Sequence, residues 1–292
     1  MELGRFGVWT FDFEDQPASL IRDEIQELDE LGWPAIWFPE VGGREAMTLA
    51  GFLLANSTNI TVVNGIAQVL HRDALRTYGA ASLLAEAYPN RHLLGLGVGD
   101  ARPGLKPMQV MREYLDELDQ KGPIRRLLAA YGPKMLELAR ERADGAHTYH
   151  VPVRHTAEAR EILGEAPFLG VEHAVLFEAD PGKAREIARE HLHVYSTQKY
   201  NIAKYLRQGY TEADFADGGS DRLVDDLVFW GDLDTIVRKL QGHLDAGADH
   251  VGIQVIGIEP GRSAMPQWRR LAEALKPGVP LKAGVHSTSP RV

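Results

Sequence analysis

Glu40, His71, Asp100 and His147 have the widest chemical range in this chain, and each stands at or beyond the C-terminal end of a short apolar run. A carboxylate there can give or take a proton, or orient a ring N–H. Glu40 ends its run directly, after Ala35-Ile36-Trp37-Phe38-Pro39. Asp100 follows Gly97-Val98-Gly99, where small residues let a flat ligand approach the backbone. His71 shares a loop with Arg72 and Asp73. Glu40, Asp100 and His71 are therefore the catalytic candidates. Each has a plainer reading as well: a rim carboxylate, a helix N-cap and a structural imidazole. Thr10, Asp12, Gln68, Tyr131 and Gln254 end other runs, and convergence on one face would make a single polar pocket.

Two further patterns bear on ligands. Gly132-Pro133-Lys134 opens a helix, and the free N–H groups and dipole of such a turn suit a phosphate. Gly95-Leu96-Gly97-Val98-Gly99 is not a dinucleotide fingerprint, because it lies within a strand rather than between strand and helix. Glu40, His71, Asp100 and His147 are also acceptable ligands for a divalent ion. No His-x-His pair ends the first run, no HExxH motif occurs, and His191 and His193 diverge on a helix. No metal is expected.

These residues must be positioned by the elements between them. Eight apolar runs recur at about 5–10, 35–38, 60–66, 92–98, 125–131, 145–149, 171–177 and 250–255, each followed by a turn and an amphipathic helix. Strands alternating with helices imply a parallel sheet, and eight units suffice for a closed (β/α)8 TIM barrel. Chemistry in that α/β fold sits on the loops after the strands. Asp15 is expected to cap the first helix, Asp73 the third, and Asp180-Pro181 to open the one after the seventh strand. Gly65 inside a strand pattern predicts a bulge or a close backbone approach. The domain is expected over 1–276, with a helical insertion between strands seven and eight at about 187–231 and a tail at 277–292. The long interval carries Tyr195, Tyr200, Asn201 and Tyr205 and the loop Asp217-Gly218-Gly219-Ser220.

Bulk properties exclude several functions. The net charge of -9 disfavours nonspecific binding to nucleic acid or an anionic membrane. With no cysteine, disulfides, thiolate nucleophiles and Cys-ligated zinc are excluded. No signal-peptide pattern precedes the first strand, and no apolar run approaches the ~18 residues of a membrane span. The cytoplasm is the expected compartment.

Taken in order, the motifs resemble the bacterial luciferase-like superfamily, specifically its actinobacterial branch that uses the deazaflavin coenzyme F420. The resemblance runs from Gly4 to about Ile256. It rests on Leu31-Gly32-Trp33, Ile36-Trp37-Phe38-Pro39-Glu40, Asn64-Gly65-Ile66, Ala87-Tyr88-Pro89-Asn90-Arg91 and Leu94-Gly95-Leu96-Gly97-Val98-Gly99. It continues through Ala130-Tyr131-Gly132-Pro133-Lys134-Met135, Ala143-Asp144-Gly145-Ala146 and Ala246-Gly247-Ala248-Asp249-His250-Val251. It implies a deazaflavin across the C-terminal mouth of the barrel. A bulge at Gly65-Ile66, often with a non-proline cis peptide in this family, would support the ring. Val98, Gly99, Asp100 and Glu40 would lie beside the ring, with Asp100 as proton donor, and Ala130, Tyr131, Gly132 and Pro133 would hold the phosphate. The implied function is F420-dependent hydride transfer to or from a small organic substrate, by an enzyme expected to be a homodimer. An FMN-dependent monooxygenase and a non-catalytic flavin or deazaflavin carrier are the alternatives. Related sugar-phosphate dehydrogenases carry a His just after the strand-two acid. Val41-Gly42-Gly43 stands here instead, so oxidation of a sugar phosphate is not expected.

Overall fold

A computed structural model describes residues 3–99, 104–259 and 261–277. The chain begins with β1 (Phe6–Trp9), α1 (Ala18–Glu30), β2 (Ala35–Phe38), α2 (Ala46–Ala55), β3 (Thr61–Asn64) and the two-residue β4 (Ala67–Gln68). It continues with α3 (Ala74–Ala87), β5 (His92–Gly97), α4 (Pro107–Asp119), β6 (Arg126–Ala129), α5 (Pro133–Arg142), β7 (Gly145–Thr148), α6 (Val153–Leu163) and β8 (Phe168–Leu176). The long interval then holds α7 (Pro181–Ser196), α8 (Lys199–Arg207), a 3-10 segment at Glu212–Gly218, α9 (Asp221–Leu227), β9 (Val228–Trp230) and α10 (Leu233–Asp245). β10 (His250–Val255) and α11 (Met265–Leu275) follow. Among the described residues, no helix is long and apolar enough to cross a membrane.

Every strand pairing is parallel, and β10 bonds to both β1 and β8. That closes β1, β2, β3, β5, β6, β7, β8 and β10 into a (β/α)8 barrel. β4 continues β3 along β5, and β9 lies beside the C-terminal part of β8. Parallel strands are covered on both faces, so they read as apolar runs rather than as alternating patterns. β1, β2 and β8 are buried at every position. The interior takes large rings where glycines leave room. A β-carbon on Gly170 would stand 3.0 Å from the Trp37 ring, and one on Gly7 2.6 Å from His250. In turn Trp37 Nε1 donates to His250 Nε2 at 3.0 Å, and the two rings lie tilted at 5.6 Å.

The bulge comes from strand register. Val63 pairs with Leu93, and Ala67 with Leu96. Asn64, Gly65 and Ile66 therefore stand opposite only Leu94 and Gly95, one residue too many for a regular ladder. The Gly65-Ile66 peptide is cis. The predicted single strand 60–66 is thus split, with β4 resuming beyond it.

Three local expectations are corrected. Asp15 does not cap α1; Pro17 holds the N-cap position at φ -59 and ψ 143, and Asp15 follows a 3-10 turn at Asp12–Glu14. Pro disfavours a helical conformation in the residue before it, so the helix starts only past Pro17. β8 starts at Phe168 rather than Val171, because Phe168, Leu169 and Gly170 pair with Gly145, Ala146 and His147. The sequence pattern predicts a helix over 156–163 after the 145–149 run; α6 instead starts three residues earlier, at Val153, directly after Pro152. Asp73 and Asp180 do cap α3 and α7, accepting from Arg76 N and Lys183 N.

Candidate active site

Glu40 leaves the end of β2 and is buried. Its Oε2 accepts from Gln68 N at 2.7 Å, and its Oε1 from Ala46 N at 3.3 Å and from the Arg72 guanidinium. Gln68 Nε2 returns a bond to Glu40 O at 2.5 Å. The carboxylate thus ties the end of the bulged strand to the start of α2. Arg72 also reaches Glu45, and its side chain is only 8% exposed. His71 is exposed, and it lines with Glu40 and Arg72 a cavity of about 770 Å³ between the N-terminal ends of α2 and α3.

The floor of the mouth is the bulge and the glycines beside it. A β-carbon on Gly97 would stand 2.0 Å from Ile66 Cδ1, and one on Gly99, at φ +81, 1.8 Å from Gln68 Oε1. Ile66 and Val98 are half-buried and Gly99 is exposed, so this floor reaches solvent. Asp100 lies outside the described residues.

A second cavity, of about 450 Å³, lies at the end of β6. Tyr131, Gly132 and Pro133 line one side, and Lys204, Arg207 and Gln208 the other. Gly132 is the N-cap of α5, has no side-chain capping bond, and faces open space where a β-carbon would be. Ala130 is buried, its N–H donating to His147 O at 3.0 Å. Both amide atoms of Gln208 are buried without a hydrogen-bond partner among the described residues. The candidates therefore fall into three places, Glu40 with His71, the glycine floor, and the Gly132 turn, rather than one pocket.

Sequence reasoning singled out neither Arg72 as the partner of Glu40 nor the polar cluster behind the mouth. In that cluster the Tyr149 and Tyr195 hydroxyls meet at 2.8 Å, and Tyr149 OH donates to Gln254 Oε1 at 3.3 Å. Lys204 Nζ donates to His150 O at 3.1 Å and lies 4.2 Å from the centre of the Tyr205 ring. Glu172 is fully buried and accepts from His150 N at 2.9 Å. Burial raises its carboxyl from 4.5 to about 8, against the pull of the His150 N–H and of Lys204. Burial likewise lowers Lys204 to about 7, against the pull of Glu172. The one available signal was the tyrosine-rich run from Tyr195 to Tyr205.

The raised Glu172 pKa has a stability consequence. A folded pKa of about 8 above 4.5 means that the protonated group contributes stability in full below pH 4.5, and that this is lost as pH rises to 8. Glu172→Gln keeps a neutral side chain throughout. Its unfolding midpoint in urea should therefore gain on the wild type between about pH 5 and about pH 8. Parallel curves across that window would mean that Glu172 is ionised in the fold.

A closed parallel barrel with its polar groups at the C-terminal ends of the strands is a common scaffold for enzymes. Residues 4–127 match the family model described as luciferase-like monooxygenase. The barrel also resembles solved structures along nearly its whole length. An F420-dependent secondary alcohol dehydrogenase, solved with an F420-acetone adduct, gives a TM-score of 0.74 at 12% identity, covering 95% of this chain and 99% of that one. The F420-dependent tetrahydromethanopterin reductase of Methanopyrus kandleri gives 0.67 at 17%, covering 94% and 98%. The oxygenating constituent of 3,6-diketocamphane monooxygenase from Pseudomonas putida, solved with FMN, gives 0.69 at 14%, covering 94% and 97%. Together the family match over residues 4–127 and the shared barrel fold support an enzyme.

Proposed function

We propose that this chain is an F420-dependent oxidoreductase that transfers a hydride between F420 and a small organic substrate. The observation that carries the reading is the pairing of a side-chain-poor floor, Gly65-Ile66 with Gly97 and Gly99, with the open Gly132 turn and its Lys204 and Arg207. Such a floor suits a flat ring, and such a turn suits a phosphate. When bound, the deazaflavin supplies the hydride chemistry, and the protein supplies binding, orientation and proton control.

In this reading Gly65, Ile66, Val98 and Gly99 support the ring, and Tyr131, Gly132 and Pro133 hold the phosphate, with Ala130 anchoring that turn to β7 through its N–H. Asp100 is the proposed proton donor. Glu40 orients the bulge through Gln68 N rather than giving a proton, because its oxygens are already engaged. His71 is proposed at the substrate entrance. The choice of F420 over FMN is supported by the sequence motifs and by the likeness to two F420-dependent structures. The FMN-bound neighbour and the monooxygenase family description favour the second reading, an FMN-dependent monooxygenase.

Gly132→Asp tests the phosphate assignment. Gly132 has φ -94 and open space beside it, so aspartate fits, and aspartate is a favoured N-cap. Thermal stability should hold or rise, while F420 affinity falls about tenfold or more by like-charge repulsion. Unaltered affinity would remove this turn from the site.

A further inference from the structure

We propose that Trp9 and His147 form a binding site for one hydroxyl group directly beneath the barrel mouth. Trp9 is the last residue of β1 and 1% exposed; His147 lies in β7 and is 3% exposed. Trp9 Nε1 and His147 Nε2 are both buried and have no hydrogen-bond partner among the described residues. Both face one spot. A β-carbon on Gly65 would stand 2.9 Å from Trp9 Nε1 and 3.7 Å from His147 Nε2. The two ring nitrogens therefore border the space that a side chain at position 65 would fill.

Their hydrogen-bonding roles follow from chemistry. An indole N–H only donates. His147 Nδ1 lies 3.3 Å from Gly170 O, and a carbonyl only accepts, so Nδ1 carries the hydrogen. Burial keeps this imidazole neutral, lowering it to about 4, which leaves a lone pair on Nε2. A group that satisfies both nitrogens must accept one hydrogen bond and donate another. A hydroxyl does so; a ketone or ether oxygen only accepts, and an ammonium only donates.

The frame is fixed before any ligand arrives. His147 stacks on Trp37 at 4.6 Å with 26° between the planes. Trp9 meets Phe11 edge-on at 4.7 Å and Tyr149 at 5.0 Å. Neighbouring polar groups are spoken for: Trp37 Nε1 bonds to His250, and Tyr149 OH to Tyr195 and Gln254. Phe11 and Tyr149, which pack on Trp9, and Ile66, which follows Gly65, are half-buried, so the slot lies directly beneath residues that reach solvent. The hydroxyl has two sources, a buried water or a substrate alcohol. The second rests on reading the mouth as the reaction chamber; the site itself does not.

The test uses the full chain, 15N-labelled and free of cofactor, so that failure of F420 to bind would leave it interpretable. The Trp9 indole signal, assigned among five tryptophans by its loss in Trp9→Phe, is followed by NMR during titration with propan-2-ol and, separately, acetone. A saturable shift with propan-2-ol but not acetone, absent in His147→Phe, places a substrate alcohol in the slot. No alcohol response, but a cross-relaxation peak between the indole hydrogen and a long-lived water, makes that hydroxyl a water. An equal response to acetone overturns the assignment, as does neither shift nor water peak. Where a variant fails to fold, the 15N shift of His147 Nε2 in the wild type carries the same comparison. Movement with propan-2-ol, or the shift of a hydrogen-bonded nitrogen without it, supports the site, and the shift of a free nitrogen under both conditions overturns it.

Discussion

Glu40→Gln is expected to destabilise the fold by about 3 kcal/mol, lowering the melting temperature by roughly 6–10 °C. Breaking a buried ion pair from one side leaves the other charge uncompensated, and Arg72 is 8% exposed. The amide would turn an N–H group toward the guanidinium or toward Gln68 N, where the carboxylate accepted from both. Glu45 still pairs with Arg72, which holds the loss near the lower end for a buried pair. F420 affinity should fall along with stability, because the strand after the bulge loses its anchor. A proton-donor role predicts the opposite pattern, with stability kept and turnover per bound cofactor lost. Urea unfolding beside turnover at saturating cofactor separates the two.

Gly95→Ala should cost about 3 kcal/mol or more, the upper range for overpacking. A β-carbon there would stand 1.9 Å from Asn64 O, a backbone atom of the bulge. Backbone cannot rotate away as a side chain would, so the bulge itself must move. Asn64 is tied on two sides, through Nδ2 to Ala46 O at 3.3 Å and Oδ1 to His92 Nε2 at 3.0 Å. Gly51→Ala is the control. It lies in α2, where an added β-carbon meets Leu84 at an ordinary 3.6 Å, and alanine there should stabilise by roughly 0.5–1 kcal/mol. Equal unfolding midpoints for Gly95→Ala and the wild type would mean that the bulge is not packed this way.

The barrel was legible because each parallel strand is buried on both faces and so leaves a short apolar run. Ala35–Phe38 and His250–Val255 have the bounds expected of them. The bulge was legible in part: Gly65 marks it, but the extra residue appears only in the register against β5. Long-range polar pairs were not legible. Arg72 lies 32 residues from Glu40, and Lys204 lies 54 from His150. Local periodicity records which residues face the core, not which distant charge they meet there. Trp9 reads as an apolar-run residue and His147 as a polar strand-end residue with no partner assigned, since only the closed barrel turns both toward Gly65. Of the site candidates, Glu40 and His71 share a cavity, while the cavity at the Gly132 turn is completed by Lys204 and Arg207 of α8, whose placement no local signal encodes.

The most direct test of the central claim is a fluorescence titration of the purified protein with F420 and, in parallel, FMN at equal ionic strength. The account predicts saturable F420 binding at about micromolar concentration or below, with FMN at least about tenfold weaker, a difference of about 1.4 kcal/mol. Preference for FMN would contradict it in favour of a flavin monooxygenase, and binding of neither would leave the barrel without its proposed cofactor.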